Sequence, residues 1–256
     1  MNKQFALISL ATLSLLATSC AQHQYQVAEV TRSRILIDSR YDSIIPAEAT
    51  AYLAPYKAHV DSLMLPVMGT AASDLWRKRP ESPLSNLLSD ILVWSSQRFG
   101  EHPDFAVYNM GGIRATLSKG DVTRGDILDI APFDNKLCLL TLSGSDVLEL
   151  FGQIAKVGGE GVSHSVRLEI SKDGQLLSSS INGKQVDPNA SYRIATIDYL
   201  AQGNDYLYAF KKKTNVVSPK SEENNARFLI EDYFKQMKAE GKMVDAKVEG
   251  RVTVKN

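Results

Sequence analysis

The chain of 256 residues carries 29 lysines and arginines against 29 aspartates and glutamates, so its formal net charge at neutral pH is zero. This balance argues against nucleic-acid binding through bulk positive charge. Hydrophobic residues make up 44% of the chain, which is enough for one sizeable core, or for one domain with an N-terminal extension.

The first 19 residues have the order of a secretory signal. Lys3 supplies a charged start, residues 5–16 are apolar but too short to span a bilayer, and small residues then precede Cys20. The arrangement resembles a bacterial lipobox, although an ordinary signal peptide that ends near Cys20 is the alternative. We expect residues 1–19 to be removed and Cys20 to carry a lipid. Because no acidic run follows Cys20, we expect a membrane-anchored lipoprotein that faces the periplasm.

No later segment has the ~18 uncharged apolar residues that a membrane helix requires, so the lipid is the only membrane contact that the sequence predicts. Residues 20–45 are predicted to be a polar tether with one strand-like run. Residues 46–79 are predicted to be a helical connector whose helix spans 46–68, where apolar side chains recur at helical spacing. Cys138 would then be the only cysteine of the mature chain besides the lipid-bearing Cys20, and it is predicted to be a small buried hydrophobe.

Residues 80–256 are predicted to form one α+β domain with a mixed sheet, hairpins and packed helices. Helices are predicted at 84–99, 124–129, 143–156 and 222–239, and strands at 105–108, 136–142, 166–170, 176–181, 192–196 and 247–254. Asn182 and Gly183 form a strong two-residue hairpin signal, and glycines at 158, 159 and 161 predict a flexible loop. Interspersed helices and strands favour this class over a doubly wound parallel sheet.

One short segment after the strand at 105–108 has the residue types of an anion site. Asn109 opens it, two glycines follow, and Arg114 closes it. Glycines let a backbone approach a ligand closely, and a guanidinium offers a planar fork of donors to a phosphate or carboxylate. For such a segment alone, a glycine turn with a solvated arginine is the more common outcome.

Two later segments carry aromatic and acidic residues in loops. Phe133 follows a proline and can present its ring face to a flat ligand, or can belong to the core. Tyr199 and Asp205 follow the strand at 192–196. The Asp205 carboxylate can accept hydrogen bonds from the vicinal hydroxyls of a sugar, or can belong to an Asn-Asp turn.

Taken in order, the three segments resemble the C-terminal domain of the 5′-nucleotidase family. The shared pattern is Asn-x-Gly-Gly-Ile-Arg, then Pro-Phe-x-Asn, then Ala-Thr-x-x-Tyr-x-Ala-x-Gly-x-Asp. An ordered set of this kind over residues 80–254 is far more specific than any single motif. The resemblance therefore implies the fold of that domain and a site for a nucleoside monophosphate or a nucleoside.

The resemblance implies a phosphate subsite. Arg114 would hold the phosphate, Asn109 would line the site, and Arg77 and Arg79 lie where the family has further phosphate-binding arginines. The family usually has a third glycine after the asparagine. Met110 stands there in this chain and is expected to crowd the turn.

The resemblance also implies a subsite for the base and the sugar. Phe133 and Tyr199 would sandwich the base, Asn135 would contact it, and Asp205 would hold the ribose. Tyrosine in place of the family's phenylalanine keeps the stacking face. Tyr206 replaces a family glycine after the carboxylate, which leaves the path of this loop open.

The resemblance places hydrolysis in a separate N-terminal metallophosphoesterase domain, where two metal ions activate a water. This chain has only four histidines, in scattered positions, and a Gly-Asp-x-x-Asp fragment at 125–129 is interpreted as coincidence. The sequence therefore predicts no catalytic residue, metal site or cofactor in this chain. The two divalent metals are expected in a separately encoded metallophosphoesterase.

Three hypotheses follow for function. The leading one is a nucleotide- or nucleoside-recognition subunit of a 5′-nucleotidase-type phosphoester hydrolase in nucleotide catabolism, with the metal domain on another chain. The alternative is a non-catalytic nucleotide-binding lipoprotein that captures its ligand. The third is a degenerate domain kept for structure or partner contact.

Overall fold

A computed structural model describes residues 27–41 and 46–255. The predicted signal at 1–19 and the predicted lipidation site, Cys20, lie outside these residues. The chain divides into two compact units, and the boundary in the sequence falls between Tyr52 and Leu53.

The first unit, Met1–Tyr52, contains little regular structure in its described part. Residues 27–38 form neither helix nor strand, and a 3-10 turn follows at Ser39–Tyr41. The strand-like run predicted here forms no strand. Its Ile35 and Ile37 are 75% and 92% exposed, so it has no buried face of the kind that stabilises a strand.

The second unit, Leu53–Asn256, holds most of the described regular structure. The helices are α1 (Ala47–Met64, which begins in the first unit), α2 (Pro83–Ser96), α3 (Arg124–Ile130), α4 (Gly144–Lys156), α5 (Asp198–Ala201) and α6 (Ala226–Ala239). The strands are β1 (Val67–Ala71), β2 (Phe105–Tyr108), β3 (Gly120–Thr123), β4 (Leu137–Ser143), β5 (Gly161–Val162), β6 (Val166–Ser171), β7 (Leu176–Ile181), β8 (Lys184–Gln185), β9 (Ser191–Ile197), β10 (Thr214–Val217) and β11 (Val252–Lys255).

Helix α1 ends at Met64, before the predicted end at residue 68. Pro66 explains the difference, because a proline disfavours helical geometry at the residue before it and lacks an N–H of its own. The chain then enters β1, which pairs antiparallel with β3. No side chain of α1 is buried. Strand β1 lies inside the range 46–79 that was predicted to be a connector, and the domain boundaries stay predictions. Among the described helices, none has both the length and the apolar character needed to cross a membrane.

Helix α2 supplies one wall of the core, as its pattern predicts. The side chains of its apolar stripe are at most 3% exposed; they are Leu84, Leu87, Leu88, Ile91 and Leu92. Ser82 caps the N-terminus through a capping box, and Gly100 ends the following 3-10 turn in the left-handed conformation at φ 68°. The predicted helix is confirmed.

The central sheet is mixed, with strand order β10-β4-β9-β2-β5. Strands β2 and β9 are parallel neighbours, and β4 runs antiparallel to β9 with Leu137 opposite Ile197. The carboxyl ends of β2 and β9 and the start of β4 therefore meet at one edge of the sheet. A second sheet has the order β11-β6-β7-β8, with β11 parallel to β6. The predicted α+β class with a mixed sheet is confirmed.

Two local predictions have different outcomes. The hairpin between β7 and β8 turns at Asn182 and Gly183, both left-handed, which confirms the turn signal. The glycine loop is tightly packed rather than flexible. Gly159 has φ 107°, and a Cβ there would lie 2.4 Å from the carbonyl oxygen of Pro80. Cys138 is buried in β4, as predicted, and its burial raises the pKa of the thiol.

Candidate functional site

A cavity of about 320 Å³ lies where the three predicted segments meet. Its lining residues are Asn109, Gly111, Gly112, Arg114, Phe133, Asn135, Tyr199 and Asp205. The sheet explains this convergence, because the first and third segments follow the carboxyl ends of β2 and β9 and the second precedes β4. Six of the predicted substrate-binding residues therefore line one cavity, and Arg77 and Arg79 do not line it.

The first segment is a tight 3-10 turn at Met110–Gly112 that directly follows Asn109. The Asn109 Nδ2 donates to Asp205 Oδ2 at 2.7 Å, and its buried Oδ1 has no hydrogen-bond partner among the described residues. A Cβ on Gly112 would lie 2.6 Å from that Oδ1, so a larger residue there would displace the Asn109 side chain. The expectation that Met110 crowds the turn is wrong, because its side chain is buried in the interior at 2% exposure.

Arg114 contributes a positive charge to the lining of the cavity. Its side chain is exposed, and its Nη1 is 3.5 Å from the carbonyl oxygen of Gly111. The guanidinium carbon lies 5.9 Å from the centre of the Phe133 ring. Among the described residues, ion pairs join carboxylates to other arginines, and none joins one to Arg114. A planar, always-charged donor without a carboxylate partner is suited to an anionic ligand group.

The second segment is the loop between α3 and β4 that carries Phe133, whose side chain is 47% exposed. Arg227, at the start of α6, holds this loop through three hydrogen bonds. It donates to the carbonyl oxygens of Ala131 and Pro132 at 3.3 and 3.1 Å, and to Asp134 Oδ1 at 3.0 Å. The Phe133 ring is thus exposed on a loop that Arg227 holds through two backbone carbonyls before the ring and through the Asp134 side chain after it.

The end of this loop connects the second segment to the third. Asn135 is partly buried, and its carbonyl oxygen accepts from the backbone N–H of Ala226 at 2.7 Å. The backbone N–H of Lys136 donates to Asp198 Oδ1 at 3.0 Å. The same Asp198 oxygen accepts from the backbone N–H of Tyr199 at 2.9 Å, so one carboxylate fixes both segments.

The third segment brings an aromatic ring and a carboxylate together. The side chain of Tyr199 is 38% exposed, and its hydroxyl donates to Asp205 Oδ1 at 2.9 Å. This hydrogen bond, assisted by burial and by the negative charge, raises the pKa of the Tyr199 phenol. Asp205 and Tyr206 have φ values of 53° and 65°, so two consecutive non-glycine residues are left-handed.

The two further predicted arginines do not line the cavity; Arg77 contacts the first segment directly, and Arg79 is connected to it through Glu160. Arg77 donates to the carbonyl oxygen of Met110 at 3.1 Å. Arg79 donates to the carbonyl oxygen of Gly159 and forms an ion pair with Glu160 at 2.5 Å. Glu160, which is 1% exposed, also accepts from the backbone N–H of Met110. Burial raises the pKa of Glu160, against the opposing effects of Arg79 and the Met110 N–H.

Sequence reasoning did not identify Arg227 and Glu160. Arg227 lies more than 90 residues from the loop that it supports, so no local pattern connects them. Glu160 had a weak signal, because it is a lone acid between two glycines, Gly159 and Gly161. A buried acid in such a position needs a partner, but only the fold identifies it as Arg79.

No group of three or more histidine, cysteine, aspartate or glutamate side chains lies close enough to hold a metal within the described part of the chain. The Gly-Asp-x-x-Asp fragment has a structural explanation: Asp126 Oδ2 accepts from the backbone N–H of Thr123 at 2.7 Å and caps α3. Residues 27–41 and 46–255 therefore bring together no ligand set of the kind that a metallophosphoesterase centre needs. The cavity can bind and orient a ligand with an anionic group, a flat ring and a polyol.

The comparisons with known proteins identify the family of the chain. The model of the family described as "5'-nucleotidase, C-terminal domain" matches residues 66–212. Protein UshA of Yersinia enterocolitica is 34% identical over 152 residues, which are 58% of this chain and 27% of that protein. A protein named 5'-nucleotidase from Vibrio cholerae is 32% identical over 105 residues, which are 40% of this chain and 19% of that protein.

A solved structure shares the fold. The crystal structure of a 5'-nucleotidase precursor from Thermus thermophilus superposes with a TM-score of 0.70 and 27% identity. The match covers 82% of this chain and 43% of that chain. The chain thus spans less than half the length of each of these relatives. Because the family model covers more than half of its residues, the chain belongs to the 5′-nucleotidase C-terminal domain family.

Proposed function

We propose that this chain is the nucleotide- or nucleoside-recognition subunit of a 5′-nucleotidase-type phosphoester hydrolase, and that it acts in nucleotide catabolism. One observation carries the proposal: a guanidinium, two exposed rings and a carboxylate line the same cavity. These groups are Arg114, Phe133, Tyr199 and Asp205. The cavity volume of about 320 Å³ lies at the lower end of the range for small-molecule sites, ~300–1,000 Å³.

Each group suits one part of a nucleoside monophosphate. An aromatic face contributes ~1–3 kcal/mol to holding a base and tolerates any base. A charge-assisted hydrogen bond from an arginine to a phosphate contributes about 1.5–3 kcal/mol. The ring of Phe133 and the guanidinium of Arg114 are only 5.9 Å apart, so a ligand on the ring has an anion-binding group beside it. Asp205 supplies acceptors for the sugar hydroxyls.

The test is calorimetric titration of the mature chain with AMP and with adenosine. Arg114→Ala should weaken AMP binding by about 10- to 150-fold and leave adenosine nearly unchanged, because only AMP has the phosphate. Arg167→Ala is a matched control. Its guanidinium, like that of Arg114, donates to backbone carbonyls, but it lies in the second sheet. Equal losses for both ligands would remove Arg114 from the phosphate role, and a wild-type chain that binds neither would refute the proposal.

We propose further that a separate metallophosphoesterase chain supplies the two divalent metals and the attacking water. The support is the family resemblance, together with the finding that no group of three or more potential metal-ligating side chains lies close together in the described part of the chain. The test mixes this chain with a candidate metallophosphoesterase and measures phosphate release from AMP. A gain that Arg114→Ala abolishes and Arg167→Ala preserves is expected. Binding of AMP with no gain in hydrolysis would instead support the ligand-capture alternative.

The location is also a proposal: a bacterial lipoprotein, anchored in the membrane through Cys20 and facing the periplasm. The signal pattern before Cys20 supports it. Cys20→Ser should move the protein from the membrane fraction to the soluble fraction and abolish labelling by radioactive palmitate. Unchanged fractionation of this variant would exclude the lipid anchor.

A further inference from the structure

The carboxylate of Asp205 is held at both oxygens by neighbouring side chains. Asn109 Nδ2 donates to Oδ2 at 2.7 Å, and the Tyr199 hydroxyl donates to Oδ1 at 2.9 Å. Asp205 itself has φ 53°, a conformation that costs a non-glycine residue energy. Two hydrogen bonds therefore stabilise a carboxylate in a strained and specific orientation at the cavity.

These two bonds leave acceptor capacity on both oxygens. An ionised carboxylate has about four lone-pair sites, and each bond occupies one. One site remains on each oxygen, which matches two neighbouring hydroxyls that donate side by side. A single hydroxyl would use only one of them. The arrangement is therefore complementary to a vicinal diol.

The Tyr199 hydroxyl provides a hydrogen-bond donor to Asp205, which the ring alone cannot provide. A phenylalanine would offer the same stacking face but would leave Oδ1 without its donor. On the basis of the proposed nucleotide site, we propose that the Tyr199 hydroxyl is a positioning group that aims Asp205 at a vicinal diol, so that the pocket selects ribonucleotides with free 2′ and 3′ hydroxyls.

The backbone of Tyr199 does not depend on this hydroxyl. Its N–H donates to Asp198 Oδ1 at 2.9 Å, and its carbonyl oxygen accepts from Asn204 Nδ2 at 2.8 Å. Removal of the hydroxyl should therefore leave the ring in place. The variant Tyr199→Phe isolates the hydroxyl from the stacking face, which makes it a clean probe of the proposed role.

The experiment is calorimetric titration of the wild type and Tyr199→Phe with AMP and with 2′,3′-dideoxy-AMP. The expected result is a loss of about five- to tenfold in affinity for AMP and less than twofold for the dideoxy ligand. Tyr208→Phe is the control, because Tyr208 is a half-exposed tyrosine that does not line the cavity. The Asp205→Ala variant should bind AMP no more tightly than 2′,3′-dideoxy-AMP. When Tyr199→Phe is added to Asp205→Ala, AMP affinity should not fall further.

Three results would overturn the inference. Unchanged AMP affinity in Tyr199→Phe would show that the hydroxyl does not position the carboxylate. Equal losses for both ligands would show that it acts on stacking or on the fold. Either result leaves the proposed function intact, provided that the wild type binds AMP. A wild-type chain that binds neither ligand would refute the proposed function and this inference together.

Discussion

Replacement of Phe133 by alanine tests the base subsite. The ring is 47% exposed, so its removal should lower the free energy of unfolding by less than about 1 kcal/mol. Stacking of a base on it would contribute ~1–3 kcal/mol to binding, which is about 5- to 150-fold in affinity. Because AMP and adenosine share the base, calorimetric titration should show the same factor for both ligands. Arg114→Ala, in contrast, should weaken the binding of AMP and leave that of adenosine nearly unchanged.

Tyr208→Ala is the matched control for this change. Tyr208 is a 51% exposed aromatic residue outside the cavity, so its loss should leave both affinities unchanged. The Arg114 guanidinium lies 5.9 Å from the Phe133 ring. The double variant Arg114→Ala/Phe133→Ala should therefore show a coupling free energy of about 0.5–1 kcal/mol in AMP binding. If Phe133→Ala binds adenosine as tightly as the wild type does, while its melting curve is unchanged, Phe133 does not stack on the base.

The other predictions concern the supports of the site and the fold. Gly159→Ala should lower the melting temperature by about 6–12 °C, since its Cβ would meet a backbone oxygen at 2.4 Å, whereas Gly120→Ala, at a similar φ of 115° with nothing within 4 Å, should cost much less; similar melting temperatures would contradict this contact. Arg227→Ala should weaken AMP binding by about three- to tenfold, although Arg227 does not line the cavity. Arg227→Lys should not restore binding, because lysine lacks the forked donors of the guanidinium. Full rescue by lysine would show that only the charge matters. Arg193 donates to both carboxylate oxygens of Glu101 at 2.7 and 2.6 Å, and these bonds hold the pKa of Glu101 below its ordinary value of 4.5. The ion pair therefore stabilises the fold above pH 4.5. This contribution is lost as the pH falls through the lowered pKa of Glu101. Glu101→Gln should therefore reduce stability at pH 7 by about 1–2 kcal/mol and make urea unfolding less dependent on pH below 4.5; an unchanged acid limb would assign the dependence to other groups.

The sequence was sufficient to predict those parts of the fold that depend on local patterns. The stripe of α2 repeats every three or four residues, and its burial follows from that spacing. The turn at Asn182 and Gly183 depends on two residues that tolerate positive φ. The end of α1 was predicted too late, because apolar spacing continued through Val67 while Pro66 had already ended the helix.

The cavity itself depends on sheet topology, which local patterns do not contain. The three lining segments were identified from their order and from the family resemblance, and their convergence follows from the parallel pairing of β2 with β9. The groups that hold them, such as Arg227 and Glu160, act over long sequence distances, and no local pattern identifies their partners. Tyr199 was interpreted as a stacking face alone, since a hydrogen bond from its hydroxyl to Asp205 requires the loop's path.

That path shows how the chain replaces a glycine. The family usually has glycine after the carboxylate, whereas Tyr206 here adopts φ 65° directly after Asp205 at 53°. Two such residues cost about 1–2 kcal/mol each, and they persist only where the surroundings fix them. The hydrogen bonds of Asn109 and Tyr199 to Asp205 are available for this purpose, and each is stronger because the acceptor is charged. The same bonds that would orient the carboxylate toward a sugar therefore also stabilise the strained loop, so the ribose subsite and the fold of this segment depend on one set of contacts.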